Sequence, residues 1–256
     1  MRVVEGSPPP PVTDPSPLVT CRDLTYAYDT NLVLRGVSFD VPAHGFVGLI
    51  GPNGCGKSTV MRVLLGLLSP AGGSVRVLDR APLAAVRSGL VGYVPQRDTF
   101  VRAFPLAVRD VVIMGRVARV GLGRRPCRHD RLAAEEALAR LGLADLGARA
   151  FGELSGGQQR LVLLARALAQ EPRLLLMDEA DTGLDELRRA AVYRELDQLR
   201  RERELGILAI SHQLDLLATV VDKAVALRDG MSLDWCPTCM HHALSETAPT
   251  HRGARS

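Results

Sequence analysis

The nine residues Gly51-Pro52-Asn53-Gly54-Cys55-Gly56-Lys57-Ser58-Thr59 constrain this chain more than any other stretch. Phe46-Val47-Gly48-Leu49-Ile50 before them is a short apolar run that reads as a buried strand. Residues 60–68 after them read as an apolar helix closed by Ser69-Pro70. A glycine-rich loop between a strand and a helix is the setting a phosphate-binding loop needs. The glycines let successive backbone N–H groups curl around an anion, and the helix N-terminus adds its positive dipole end. Lys57 supplies a cation to the outer phosphates, and the Ser58 hydroxyl can hold Mg2+. The loop implies binding of a nucleoside triphosphate.

Composition narrows the setting. With 32 basic against 28 acidic residues the chain is only mildly basic, too weak an excess to argue for nucleic acid. No uncharged apolar run reaches the length of a membrane span, and the N-terminal residues lead into prolines rather than into a signal-like core. Five cysteines, three of them scattered, do not suggest a disulfide framework and fit a reducing cytosolic compartment.

Residues 1–17 read as a Pro-rich, disordered leader. Residues 18–21 and 37–41 read as strands, and Tyr28 between them could stack on an adenine ring or equally serve as an ordinary core or surface tyrosine. Residues 74–78 and 91–96 read as further strands, the second ending in Gln96, whose amide beside a phosphate loop can complete Mg2+ coordination or sense the γ-phosphate. Residues 97–150 look like a helical insertion. The basic run holding Arg119, Arg124, Arg125, Arg128 and Arg131 has three readings, first a solvated face, then a membrane-proximal or partner-docking patch, and last a nucleic-acid patch.

Ser155-Gly156-Gly157-Gln158 opens a helix running to about residue 170 and forms a second anion site from free amides, a hydroxyl and a dipole. Residues 173–179 are a continuous apolar strand ending in two carboxylates, as a buried parallel strand reads. Asp178 there can reach the Mg2+ held by Ser58, and Glu179 can polarise a water for in-line attack on the γ-phosphate. Residues 186–204 form a heavily charged helix, read as a solvated face. A strand at 206–210 leads to Ser211-His212, where a histidine on the edge that also carries the phosphate loop can touch the γ-phosphate.

The ordered set of motifs resembles the nucleotide-binding subunit of ATP-binding cassette (ABC) transporters over about residues 18–232. It comprises the Walker A loop at Gly51 to Thr59, Gln96, the signature Leu154-Ser155-Gly156-Gly157-Gln158, Walker B ending at Asp178, Glu179, the loop Thr182-Gly183-Leu184-Asp185, and His212. The resemblance implies an α/β fold, a P-loop NTPase ABC cassette with a RecA-like core, an antiparallel β subdomain and a helical subdomain at about 97–160. It implies ATP and Mg2+ as ligands and places Tyr28 where the family carries its adenine-stacking aromatic. It also implies head-to-tail pairing with a second cassette, a second copy of this chain by expectation. Ser155, Gly156, Gly157 and Gln158 would then serve the partner's nucleotide. Ala180-Asp181 departs from the family where members usually carry a proline after the glutamate; the acid alters the stiffness or charge of that loop, with every catalytic position still filled.

A finer likeness lies in Tyr93-Val94-Pro95-Gln96-Arg97 and from Phe104 to Arg116, which looks like the ATPases of manganese- and zinc-type importers; a related iron-siderophore and cobalamin group has a similar stretch. The implied partners are an integral-membrane permease and, indirectly, an extracytoplasmic substrate-binding protein, with the chain at the cytoplasmic face of the membrane and no nucleic acid involved. The tail after residue 232 holds Cys236, Cys239, His241 and His242, four soft ligands that offer a Zn2+ site if they converge; adjacent histidines diverge, so a half-site or a ligand-free tail stays open.

Overall fold

The computed structural model describes residues 16–96, 106–121, 123–211 and 217–235. Two sheets organise it. Strands β1 (Val19–Tyr28), β2 (Asn31–Val41) and β4 (Gly72–Val77) make a three-stranded antiparallel sheet in the order β2-β1-β4. Strands β3 (Phe46–Ile50), β5 (Val91–Val94), β6 (Leu174–Asp178), β7 (Gly206–Ile210), β8 (Lys223–Arg228) and β9 (Met231–Trp235) make the larger sheet, ordered β5-β6-β7-β3-β8-β9. Its first five members are parallel, and β9 returns antiparallel to β8.

The helices are α1 (Lys57–Leu64), α2 (Pro82–Arg87), α3 (Val108–Ile113), α4 (Val117–Val120), α5 (Arg128–Arg140), α6 (Gly156–Ala169) and α7 (Glu186–Glu202). Alternation along the parallel strands divides the interior in two, because successive strand side chains point to opposite faces. Phe46, Leu175, Met177, Ile207, Ala209, Ala224 and Ala226 join the core beneath α3, α5, α6 and α7. Val47, Leu49, Leu174, Leu176, Leu208, Ile210, Val225 and Leu227 join the core shared with α1 and the antiparallel sheet. Fully buried β3, β6 and β7 are apolar on both faces for this reason.

Several elements differ from the sequence reading. Residues 18–21 and the stretch around Tyr28 form one long strand, β1, which continues through register shifts between Cys21 and Leu24, Leu24 and Thr25, and Tyr26 and Ala27. The sheet continues to Trp235, past residue 232, because β9 pairs with β8 through Arg228↔Met231 and Ala224↔Trp235. The Gly230 carbonyl accepts from the Arg35 amide at 2.7 Å and Ser232 Oγ accepts from the Ser38 amide at 2.8 Å, so β9 also fastens the two sheets together.

Helix α7 is not simply a solvated face. Val192, Tyr193, Leu196 and Leu199 are buried, and with them Arg189 and Arg200. Arg200 donates to the His44 carbonyl at 2.7 Å and to Asp222 at 2.9 and 3.1 Å, and Asp222 in turn accepts from the Phe46 amide at 2.8 Å. A buried guanidinium is tolerable there because its fork of donors is occupied. In the basic run, Arg124, Arg125, Arg128 and Arg131 are exposed. Arg119 pairs with Glu171 at 3.5 Å. No helix among the described residues is long and apolar enough to cross a membrane.

Candidate functional site

Parallel pairing aligns the carboxyl ends of the central strands. Ile210 is the partner of Leu49 on one side and of Asp178 on the other. Neighbouring strands lie about 4.8 Å apart, so Leu49 and Asp178 stand roughly 10 Å from each other across β7. The chain leaves β3 into the glycine loop, β6 into Glu179 and β7 into Ser211, all on this edge. That is where open α/β sheets hold ligands.

The glycine loop folds as its composition demands. Gly51 and Gly56 take φ of 147° and 106°. A Cβ at Gly51 would meet the Leu227 carbonyl oxygen at 2.3 Å, and one at Gly56 would meet Leu34 Cδ2 at 2.7 Å. Lys57 Nζ donates to the Gly51 and Pro52 carbonyls at 2.8 and 2.9 Å and is buried. The ammonium is thereby held against the glycine loop. The first turn of α1 carries no acidic side chain, and no side chain caps it, so its free amides remain for a ligand.

Asp178 ends β6 and Glu179 follows it, and both acids are buried. Burial and the neighbouring Glu179 hold the Asp178 carboxyl above the usual carboxylate range, against the opposing pull of Arg62, Lys57 and the Ser58 hydroxyl. Asp178 Oδ1 is buried with no hydrogen-bond partner. An orphaned carboxylate oxygen beside a serine hydroxyl is a donor set suited to a hard divalent cation with phosphate oxygens as its other ligands, so the residues present fit Mg2+.

Glu179 has φ of 50°, a left-handed conformation that costs a residue with a Cβ about 1–2 kcal/mol. It is held there: its amide donates to the Ile210 carbonyl at 3.0 Å, and its carbonyl accepts from Arg160 at 3.2 Å. Gln96 Nε2 donates to Glu179 Oε2. Lys57, Ser58, Gln96, Asp178 and Glu179 therefore gather at one edge.

Tyr28 stands at the end of β1 and is 37 % exposed. Its hydroxyl accepts from Arg62 of α1 at 3.0 Å, and Tyr26 packs edge-on against its ring at 4.9 Å. Burial raises the phenol pKa, but hydrogen bonds with Thr59 and Arg62 outweigh it and bring the phenol below its ordinary range. The ring is thus anchored to the helix that follows the glycine loop.

Ser155 and Gln158 form a reciprocal cap on α6. Ser155 Oγ accepts from the Gln158 amide at 3.3 Å, and Gln158 Oε1 accepts from the Ser155 amide at 3.0 Å. Ser155 and Gly156 are exposed. A Cβ on Gly157 would meet the Gly183 carbonyl oxygen at 3.3 Å. This second site thus borders the loop after β6.

Sequence reasoning passed over Arg160, which reaches the Glu179 carbonyl from α6, and Arg62, which bridges Tyr28. Only their helical spacing from Gly156 and Ser58 marked them. His212 and the tail residues Cys236, Cys239, His241 and His242 lie outside the described residues. Among the described residues no group of three or more His, Cys, Asp or Glu side chains could hold a metal by themselves.

The family model described as ABC transporter matches residues 34–182. The zinc uptake system ATP-binding protein ZurA of Listeria innocua serovar 6a is 34% identical over 230 residues, 90% of each chain. The manganese transport system ATP-binding protein MntB of Halalkalibacterium halodurans is 34% identical over 238 residues, 93% of each chain. Among solved structures, a metal-chelate type ABC transporter in an inward-facing conformation superposes with a TM-score of 0.76 at 29% identity, over 88% of this chain and 85% of that one.

Proposed function

This chain belongs to the ABC transporter family and is an ATPase, and from that premise we propose that it energises an importer of a divalent metal ion, manganese or zinc. The observation that carries the catalytic half of the reading is the convergence of Lys57, Ser58, Asp178, Glu179 and Gln96 on one sheet edge, with Asp178 Oδ1 left without a protein partner. The cargo half rests on kinship with relatives named for zinc and manganese uptake.

ATP lays its phosphates in the loop Gly51, Pro52, Asn53, Gly54, Cys55, Gly56, Lys57, Ser58 and Thr59, with the adenine against Tyr28. Lys57 turns its ammonium from the loop carbonyls to the outer phosphates. Ser58, Asp178 and Gln96 would hold Mg2+, which when bound would neutralise phosphate charge. Glu179, fixed by Ile210 and Arg160, accepts the proton of the attacking water. His212 contacts the γ-phosphate from the end of β7.

Ser155, Gly156, Gly157 and Gln158 face the nucleotide of a second cassette, a second copy of this chain in this reading, so ATP closes the pair and hydrolysis reopens it. The segment from Phe104 to Arg116 docks an integral-membrane permease at the cytoplasmic face, and an extracytoplasmic substrate-binding protein delivers the cargo. Residues 1–17 would form a leader, 18–235 the cassette with its helical part at about 97–160, its end moved from residue 232 by the pairing of β9, and 236–256 the tail. Cys236, Cys239, His241 and His242 offer that tail as a Zn2+ ligand set.

The test is cellular elemental content in the native host carrying Lys57→Ala, grown at limiting manganese, zinc and iron. A selective fall in manganese or zinc is the expected result; no change in any metal contradicts free-ion import. The likeness to a metal-chelate type transporter favours a chelated cargo as the second reading. A fall in iron alone would select that reading. Elemental analysis of the purified chain with and without Cys236→Ser and Cys239→Ser tests the tail: bound zinc lost with the thiols supports the ligand set, and zinc-free parent chain contradicts it.

A further inference from the structure

Asp181 is an acid in the loop between β6 and α7, two residues beyond Glu179, and only 5 % exposed. One of its oxygens, Oδ2, accepts two hydroxyls at once: Ser211 Oγ at 2.8 Å and Tyr193 at 3.0 Å. Arg189 Nε lies 3.8 Å from the same oxygen and 3.5 Å from the Asp181 carbonyl. Arg189 also donates to the Leu184 carbonyl at 2.6 Å, closing the far side of the loop. Ser211 follows β7, Tyr193 and Arg189 belong to α7, and all four side chains are buried.

The position of these bonds matters more than their number. The last paired residues of β6 and β7 are Asp178 and Ile210. Beyond them the Glu179 amide still donates to the Ile210 carbonyl at 3.0 Å. The bond from Ser211 to Asp181 is the next rung, made by side chains where the backbones have parted. Glu179 lies between the two rungs in a left-handed conformation that needs support from its surroundings. Burial and Asp181 push the Tyr193 hydroxyl above its ordinary range, so it stays a donor at any working pH.

We propose that Asp181 is a positioning residue for hydrolysis: its carboxylate fastens the loop carrying Glu179 to the end of β7 and to α7, and so sets where the Glu179 carboxylate stands. The proposal rests on the reading of Glu179 as the group that polarises water. A side chain without acceptors at 181 would remove the oxygen that Ser211 and Tyr193 share and that Arg189 approaches, and would release the second rung.

The test measures kcat, KM, ATP affinity and melting temperature of the purified full-length chain and its variants. Asp181→Ala is expected to lower kcat about tenfold or more, with ATP affinity within about threefold of the parent, since a small displacement of a reacting group is expensive in rate. Asp181→Asn, whose amide oxygen can accept both hydroxyls, is expected to recover kcat to within about threefold. Ser211→Ala removes a single hydroxyl and should lower kcat at constant KM; it keeps the test open if Asp181→Ala does not fold. A purely structural role would lower the melting temperature of these variants and leave kcat per folded molecule unchanged, and that result overturns the proposal. So does Asp181→Asn as slow as Asp181→Ala. Glu179→Gln is assayed alongside. If it turns over normally, the reading of Glu179 falls first; if it is slow while Asp181→Ala is normal, only the positioning role falls.

Discussion

At Gly56 a φ of 106° and the closeness of Leu34 Cδ2 leave a side chain no unstrained place. Gly56→Ala is expected to cost roughly 1–3 kcal/mol of stability and to weaken nucleotide binding as well, because the loop must distort. Chemical denaturation with and without ATP checks this; unchanged midpoints in both would contradict it. At this scale the glycine loop, Asp178 and Glu179 were legible in the sequence, since their chemistry comes from neighbouring residues on one stretch of chain. The surroundings of Asp181 were not. Its partners Tyr193, Arg189 and Ser211 come from α7 and the end of β7, and only the folded sheet brings them to one oxygen. The sequence marked Asp181 as an unusual acid without revealing what it holds.

Among the elements, the central strands were readable as short apolar runs, and α6 from its Ser-Gly-Gly-Gln start. Helix α7 was harder. Its charged composition suggested solvent on its polar side, yet Arg189 and Arg200 turn inward to carbonyls and carboxylates that no local pattern announces. Helix α5 shows the same physics in a testable form. Asp130 sits in its first turn and is held at about 2 by a hydrogen bond with Cys127, helped by the Cys127 amide and the Arg116 guanidinium and opposed by burial. Its folded-state pKa lies below its unfolded one, so its contribution to stability is present above about pH 4 and is lost as pH falls toward 2. Asp130→Asn should therefore be less stable than the parent near neutrality, with the gap closing between those limits. Denaturant titrations across that range check the sign, and a gap constant with pH would contradict the assignment.

Across the molecule, the order β5-β6-β7-β3-β8 puts the outlets of β3, β6 and β7 on one edge, and the two cores pack against either face of the sheet. The signature residues end up at the head of α6 against the loop after β6, which fits a chain that completes its partner's site. The likeness to ABC cassettes made the α/β architecture legible in advance; the extension of the sheet by β9 was not, because residues 233–235 read as tail until β8 was there to pair with. In the proposed mechanism Glu179, held at this edge, drives hydrolysis once ATP is bound. The most direct measurement compares ATP affinity and turnover of Glu179→Gln with the parent chain. Affinity within about threefold of the parent and turnover lower by roughly 10²–10⁴-fold, the range for loss of a general base, are expected. Turnover equal to the parent's would contradict it.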